Sequence, residues 1–241
     1  MKLLLLNGNT DAAITDRLVA AARAMCGHDV VGATARFGAR YISTRAASAV
    51  AAHAVLDALA EHLPGGGFDA AIIACFGDPG LEAAREMFSV PVLGLADSSI
   101  RQGFALGPVV SLLTGGAAWV PMLEEFARPR TPPGARVRVR AIQPTGDMIA
   151  REPERALALL AEAARVEAQH GARCVVLGGA GLVGLAPRLR PLVPVPVLDC
   201  LEATLAELPL AKAAPVPMQG APSTGLSVPL ATLLAQGGGG P

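Results

Sequence analysis

Cys75 lies in the stretch ACFGDPGL, residues 74–81, directly after an apolar run at residues 70–73. A strand that stops there, followed by a Gly-Asp-Pro-Gly turn into a helix at residues 81–87, leaves the thiol at the strand's C-terminal edge. Backbone N–H groups at a helix start favour a thiolate, so the position suits a nucleophile or a proton-transfer base. It suits a small buried hydrophobe equally well, the usual fate of a free cysteine. Cys26, Cys174 and Cys200 fall at a helix end, inside an apolar strand and after Asp199, and read as core or incidental thiols. Without CxxC spacing, neither a zinc site nor a disulfide framework is expected. His28, His53, His62 and His170 lack ligand spacing and read as surface or structural residues.

Two polar strand exits form a second signal. Asn7-Gly8-Asn9-Thr10 and Thr114-Gly115-Gly116 each set small polar residues where a helix should begin. Such loops present backbone N–H groups and amide or hydroxyl donors that suit a carboxylate or an enolate oxygen, and ordinary N-capping uses the same residues. Neither loop is a Walker or GxGxxG fingerprint, so no nucleotide cofactor is expected. Asp78 and Asp199 read as turn-building residues that could also orient backbone or a thiol.

The elements that must position these groups follow an α/β pattern with parallel strands. Strands are expected at residues 3–6, 29–34, 70–74 and 90–95, with helices at 11–25, 46–62 and 81–87, the first capped by Asn9 or Thr10. The programme then repeats: strands at 109–113, 136–142, 174–178 and 195–198, a helix at 153–170 and another from Leu201. The run from Ala70 to Gly77 aligns with that from Cys174 to Gly181, and Val90-Pro91-Val92-Leu93 echoes Val195-Pro196-Val197-Leu198. Two such halves would carry their strand ends to a shared cleft, with Cys75 and position 179 facing across it. The expected division is 1–105, 106–212 and a loosely held Pro/Gly-rich tail at 213–241, open to disorder at its Gly-rich end.

Composition narrows the function classes. The 241 residues are 52% apolar, enough for a sizeable core, and the 20 Lys plus Arg balance the 20 Asp plus Glu. Neutral charge and 3% aromatic content argue against a nucleic-acid partner. The four-leucine run near Met1 is too short for a signal-peptide core or a membrane span. A cytoplasmic protein with no membrane partner is expected; an assembly of identical copies is left open.

Asn7-Gly8-Asn9-Thr10, ACFGDPGL, VPVLGLADSS (residues 90–99), VVLGGAGL (175–182) and VPVLD (195–199) together resemble the aspartate/glutamate/hydantoin racemase family over roughly residues 1–208. The hydantoin and allantoin racemase branch is closest, and arylmalonate decarboxylases are related. The resemblance implies two Rossmann-like halves about a pseudo-twofold axis, no cofactor, and one cysteine from each half on opposite faces of an acidic α-carbon. It assigns proton exchange to Cys75. Asn7, Asn9, Thr10, Phe76, Gly77, Thr114, Gly115, Gly116 and Ala180 would bind a small carboxylate or cyclic-ureide substrate, with selectivity set in residues 37–43 and 96–103.

Two departures stand out. The family's Asn-Pro-Asn reads Asn7-Gly8-Asn9, and the second cysteine's position is Gly179. A glycine has no proton to give. Three outcomes follow: a substituted racemase, a one-sided single-cysteine decarboxylase, or a binding protein with a dead site. Cys174, five residues before Gly179 and inside the strand, is too far from the exit to serve.

Overall fold

Leu3, Leu4, Leu5 and Leu6 are all fully buried. An unbroken apolar run of this kind belongs to a strand covered on both faces, as in a parallel sheet, not to an alternating half-exposed one. It forms β1 (Lys2–Asn7), followed by α1 (Ala12–Met25), β2 (Asp29–Thr34), α2 (Arg45–His62), β3 (Ala70–Ile73), α3 (Leu81–Met87) and β4 (Val92–Gly94). The computed structural model describes residues 1–142, 152–213 and 218–237, and the chain divides into two units, Met1–Gly94 with Glu207–Pro241, and Leu95–Ala206.

The second unit contains α4 (Leu95–Leu106), β5 (Val109–Gly115), α5 (Trp119–Ala127), β6 (Arg136–Ile142), α6 (Pro153–Gln169), β7 (Cys174–Gly178), α7 (Ala186–Leu189) and β8 (Val197–Asp199), and α8 (Cys200–Glu207) leads out of it. Each unit has one four-stranded sheet, ordered β2-β1-β3-β4 and β6-β5-β7-β8, and every neighbouring pair is parallel. The registers correspond, with Leu6 opposite Ile73 in the first sheet and Leu113 opposite Leu177 in the second.

The division differs from the expected 105/106 boundary because α4 packs on the second sheet. Gly103 permits this: a Cβ there would lie 2.7 Å from Val110 Cγ1 and 3.3 Å from Cys174 Sγ, so the helix can approach only with hydrogen at that position. The strand expected to run to residue 95 ends as β4 at Gly94, and α4, which the apolar pattern does not predict, starts at the next residue. Nor does that pattern predict α5, or a helix in the tail.

That tail helix, α9 (Val228–Gln236), is capped by Ser227, whose Oγ accepts the Leu230 N–H, and it buries Leu230 and Leu233. It packs on α2. Asp57 of α2, 2% exposed, accepts hydrogen bonds from Ser227 and, at 2.7 Å, from Nη2 of Arg36 just beyond β2. The described part of the expected loose extension is therefore tied to the first unit, while residues 238–241 of its Gly-rich end lie outside the described residues. Among the described residues, no helix is long and apolar enough to cross a membrane.

In the second unit, Glu167 of α6 is 2% exposed and accepts 2.6 Å hydrogen bonds from Arg138 and Arg140, successive same-face residues of edge strand β6. Burial pushes its carboxyl up, but the two guanidinium groups outweigh burial and hold it below the ordinary value of 4.5. A depressed carboxyl adds stability that is complete above its unfolded pKa and fades as pH falls through the folded one. Glu167→Gln should lower unfolding stability by about 2 kcal/mol at neutral pH, discounted because both arginines are partly exposed. Denaturant titration at pH 7 and below pH 4 checks this, since the difference between variant and parent should shrink in acid.

Candidate active site

β1 ends at Asn7, which is fully buried. Its Nδ2 donates to Asn9 Oδ1 at 2.9 Å, Asp11 O at 3.1 Å and Thr15 Oγ1 at 3.1 Å, while its Oδ1 accepts the Asn9 N–H at 3.1 Å. The carboxamide of Asn7 thus shapes the exit loop from inside. Asn9 Oδ1 in turn accepts the Asp11 N–H at 2.9 Å. The N-cap of α1 is Asp11, not Asn9 or Thr10, because the Asn9 oxygen is already spent one residue earlier in the loop.

The segment after β2 closes on this loop. The Thr10 N–H donates to Ala39 O at 3.2 Å, and Arg40 Nη2 meets Asp11 Oδ2 at 3.1 Å. Part of residues 37–43, expected to set selectivity, is therefore anchored to the first exit. Residues 96–103, the other expected selectivity segment, lie within α4.

β3 stops at Ile73, and Ala74 continues its ladder by donating to Leu6 O at 2.8 Å. Cys75 follows, the first residue past the sheet, 8% exposed. A side chain at Gly8 would meet Cys75 Cβ at 3.7 Å, so the absence of one opens backbone of the β1 exit toward the cysteine. Phe76 is buried, and Gly77 turns the chain with φ +123°. The first unit thus gathers Asn7, Asn9, Cys75, Phe76 and Gly77 around one set of strand ends.

The expected thiolate is not favoured in this setting. Burial, and then the negative charge of Asp78, push the Cys75 thiol up to about 12. Helix α3 does not counter this: it has seven residues, and its N-cap, Gly80, is left-handed with no side-chain cap. Asp78 itself is 3% exposed. Sequence reasoning gave it mainly a turn-building role; the signal available was its spacing of three from the cysteine.

The second unit has a parallel arrangement. Thr114 pairs with Gly178 across β5 and β7, so Gly179 is the first residue past β7, just as Cys75 follows the residue beside Asn7. Thr114 is 4% exposed, Gly115 ends β5, and Gly116 has φ +93° and donates its N–H to Ile142 O at 3.3 Å. Gly179 has φ +129°, and a Cβ there would meet nothing within 4 Å. Gly179 and Ala180 are both partly exposed. Asp199, at the end of β8, is fully buried and accepts the Gly184 N–H at 2.6 Å and the Leu201 N–H at 2.9 Å. Burial raises its carboxyl more than these donors lower it. Among the described residues, no three His, Cys, Asp or Glu side chains come together to hold a metal ion.

A profile described as Asp/Glu/Hydantoin racemase matches residues 3–208. The hydantoin racemase of Rhizobium meliloti is 34% identical over 140 residues, a match spanning 58% of each chain. That of Paenarthrobacter aurescens is 32% identical over 209 residues, 84% of this chain and 87% of its own. The crystal structure of allantoin racemase from Pseudomonas fluorescens superposes with a TM-score of 0.81 at 28% identity, covering 89% of this chain and 94% of that one. With two parallel sheets of like order, polar exits from both central strands and this extent of sequence match, the chain belongs to the Asp/Glu/hydantoin racemase family.

Proposed function

We propose that the protein exchanges a proton at the acidic carbon of a small carboxylate or hydantoin-like substrate, through an enolate-like intermediate and without a cofactor. The observation that carries this is the position of Cys75: two residues past β3, just beyond the Ala74 rung of the ladder and near the backbone of Gly8. Cys75 moves the proton. Asn9 and the backbone of the Gly8 loop are the first unit's groups that would hold substrate oxygens as negative charge develops. Asn7 acts by orienting Asn9.

An ordinary thiol is already largely protonated near pH 7, and burial with the Asp78 charge pushes the Cys75 thiol further up, to about 12. It therefore begins as a proton donor. To act as a base it must first lose its proton, which the bound substrate's surroundings have to favour.

A second reading has its own support. Gly179, at the place corresponding to Cys75, has a φ of +129° that L side chains rarely adopt, so its loop is shaped for glycine. With no thiol there, one-sided chemistry such as decarboxylation followed by protonation from Cys75 accounts for a single cysteine. Carbon dioxide leaves with its bonding pair remaining on the enediolate, and the thiol proton joins carbon.

Incubation with hydantoins, allantoin, amino acids and arylmalonates in deuterated buffer tests both readings. Deuterium entering the α-carbon of recovered substrate supports the first, and carbon dioxide release with one product enantiomer supports the second. Binding without either reaction overturns the enzymatic assignment. Cys75→Ala should lower the rate by about 10²- to 10⁴-fold with substrate affinity retained, the usual range for loss of an acid–base group. Alkylation of Cys75 by iodoacetamide in the free protein should climb about tenfold per pH unit from pH 8 to 11, as thiolate forms below its pKa. A plateau beginning near pH 8.5 would show that the thiol is unshifted.

A further inference from the structure

The segment between β2 and α2 touches two places at once. Ala35 donates its N–H to Asn7 O at 3.0 Å, which carries the β1–β2 ladder one step further. Gly38, with φ +114°, turns the chain, and Ala39 O accepts the Thr10 N–H at 3.2 Å. On that side the segment lies on the Asn7–Asp11 loop. On the other it is fastened to α2. Nε and Nη2 of Arg36 both donate to Asp57 Oδ2, at 3.2 and 2.7 Å, and Nε also lies 3.4 Å from Glu61 Oε2. The Phe37 and His53 rings meet edge-on with centroids 5.0 Å apart. The same helix reaches the strand exit directly, since a Cβ at Gly8 would lie 3.3 Å from Val55 Cγ2.

These fastenings are unequal. Arg40 meets Asp11 at 3.1 Å, but its side chain is 81% exposed, and an ion pair so open to water contributes little. Asp57 is 2% exposed, in a helix whose other buried residues are alanine, valine and leucine. An acid in that setting must be paired, and Arg36 and Ser227 pair it. Stability alone is a weak reason for the pair, because well-packed apolar side chains in its place often serve as well or better. What apolar packing does not supply is direction. A guanidinium fork fixes the residue that carries it and, through Phe37 and Gly38, the carbonyl of Ala39.

We propose that Arg36 is a positioning residue: its bonds to Asp57 seat residues 37–40 on the Asn7–Asp11 loop and hold the first exit in one arrangement before substrate arrives. The effect on substrate rests on the function proposed above; the hold on the loop does not.

Arg36→Met keeps much of the stem and removes the donors. Amide hydrogen exchange followed by NMR compares two protons of the same unit: that of Thr10, bonded to Ala39 O, and that of Ala74, bonded to Leu6 O within the sheet. The Thr10 rate should rise about tenfold relative to the Ala74 rate, because local opening is separate from global unfolding. KM for a hydantoin that the parent turns over should rise about tenfold with kcat within about threefold, the pattern of lost binding rather than lost chemistry. Circular dichroism establishes that the variant is folded. Equal change at both amides, or none, overturns the proposal, as does an unchanged KM. If Arg36→Met does not fold, Arg36→Lys, which keeps the charge without the fork, should show the same selective rise at Thr10 by about threefold. Failure of both variants to fold overturns the proposal in favour of a purely structural pair. A selective rise at Thr10 in a protein whose parent exchanges no substrate proton retains the hold on the loop and overturns the proposed function instead.

Discussion

The buried carboxamide of Asn7 sets the geometry on which the first set of strand ends depends. A parallel strand delivers its last residue into a loop whose backbone polar groups must be satisfied away from water. Asn7 meets that demand with bonds to Asn9, Asp11 and Thr15, drawing the start of α1 back onto the strand. Gly8, held between Asn7 and Asn9, runs close to Cys75, where a Cβ would lie 3.7 Å from the Cys75 Cβ and 3.3 Å from Val55 Cγ2. The exit loop and the start of α1 are thus shaped by one amide.

The two sheets share strand order and register, yet their exits have diverged in chemistry. The first has cysteine past its third strand, glycine at the end of its fourth, and a carboxylate reaching in from the loop. The second has glycine past its third strand and the carboxylate on its fourth, reaching out to the loop. A common backbone accommodates both because a buried carboxylate needs donors and space, and either partner can supply the side chain while the other supplies the room.

Much of this was legible in the sequence. Buried parallel strands advertise themselves as apolar runs, and the equivalence of residues 70–77 with 174–181 follows from the runs and their glycine-rich exits. The cysteine at a strand end was visible for the same reason. Its protonation was not, since the expected helix at 81–87 reveals a nearby helix start but neither its left-handed Gly80 N-cap nor the burial of the thiol. Helix α4 escaped because it follows β4 without an intervening loop, and its early residues, Ala96-Asp97-Ser98-Ser99, are of the small or polar kind expected in a strand exit. The role of Asn7 escaped too: an asparagine that binds a ligand and one that binds its own loop are the same letter.

Asp57 is a junction between distant parts of the chain. Its single carboxylate receives Arg36, from the segment that leads to Ala39 and the first exit, and Ser227, at the head of the C-terminal helix. Shortening the chain's end would strip a partner from a buried anion and unsettle a segment that lies almost two hundred residues earlier. One acid thereby couples the head of the C-terminal helix to a loop specified near the other end of the sequence.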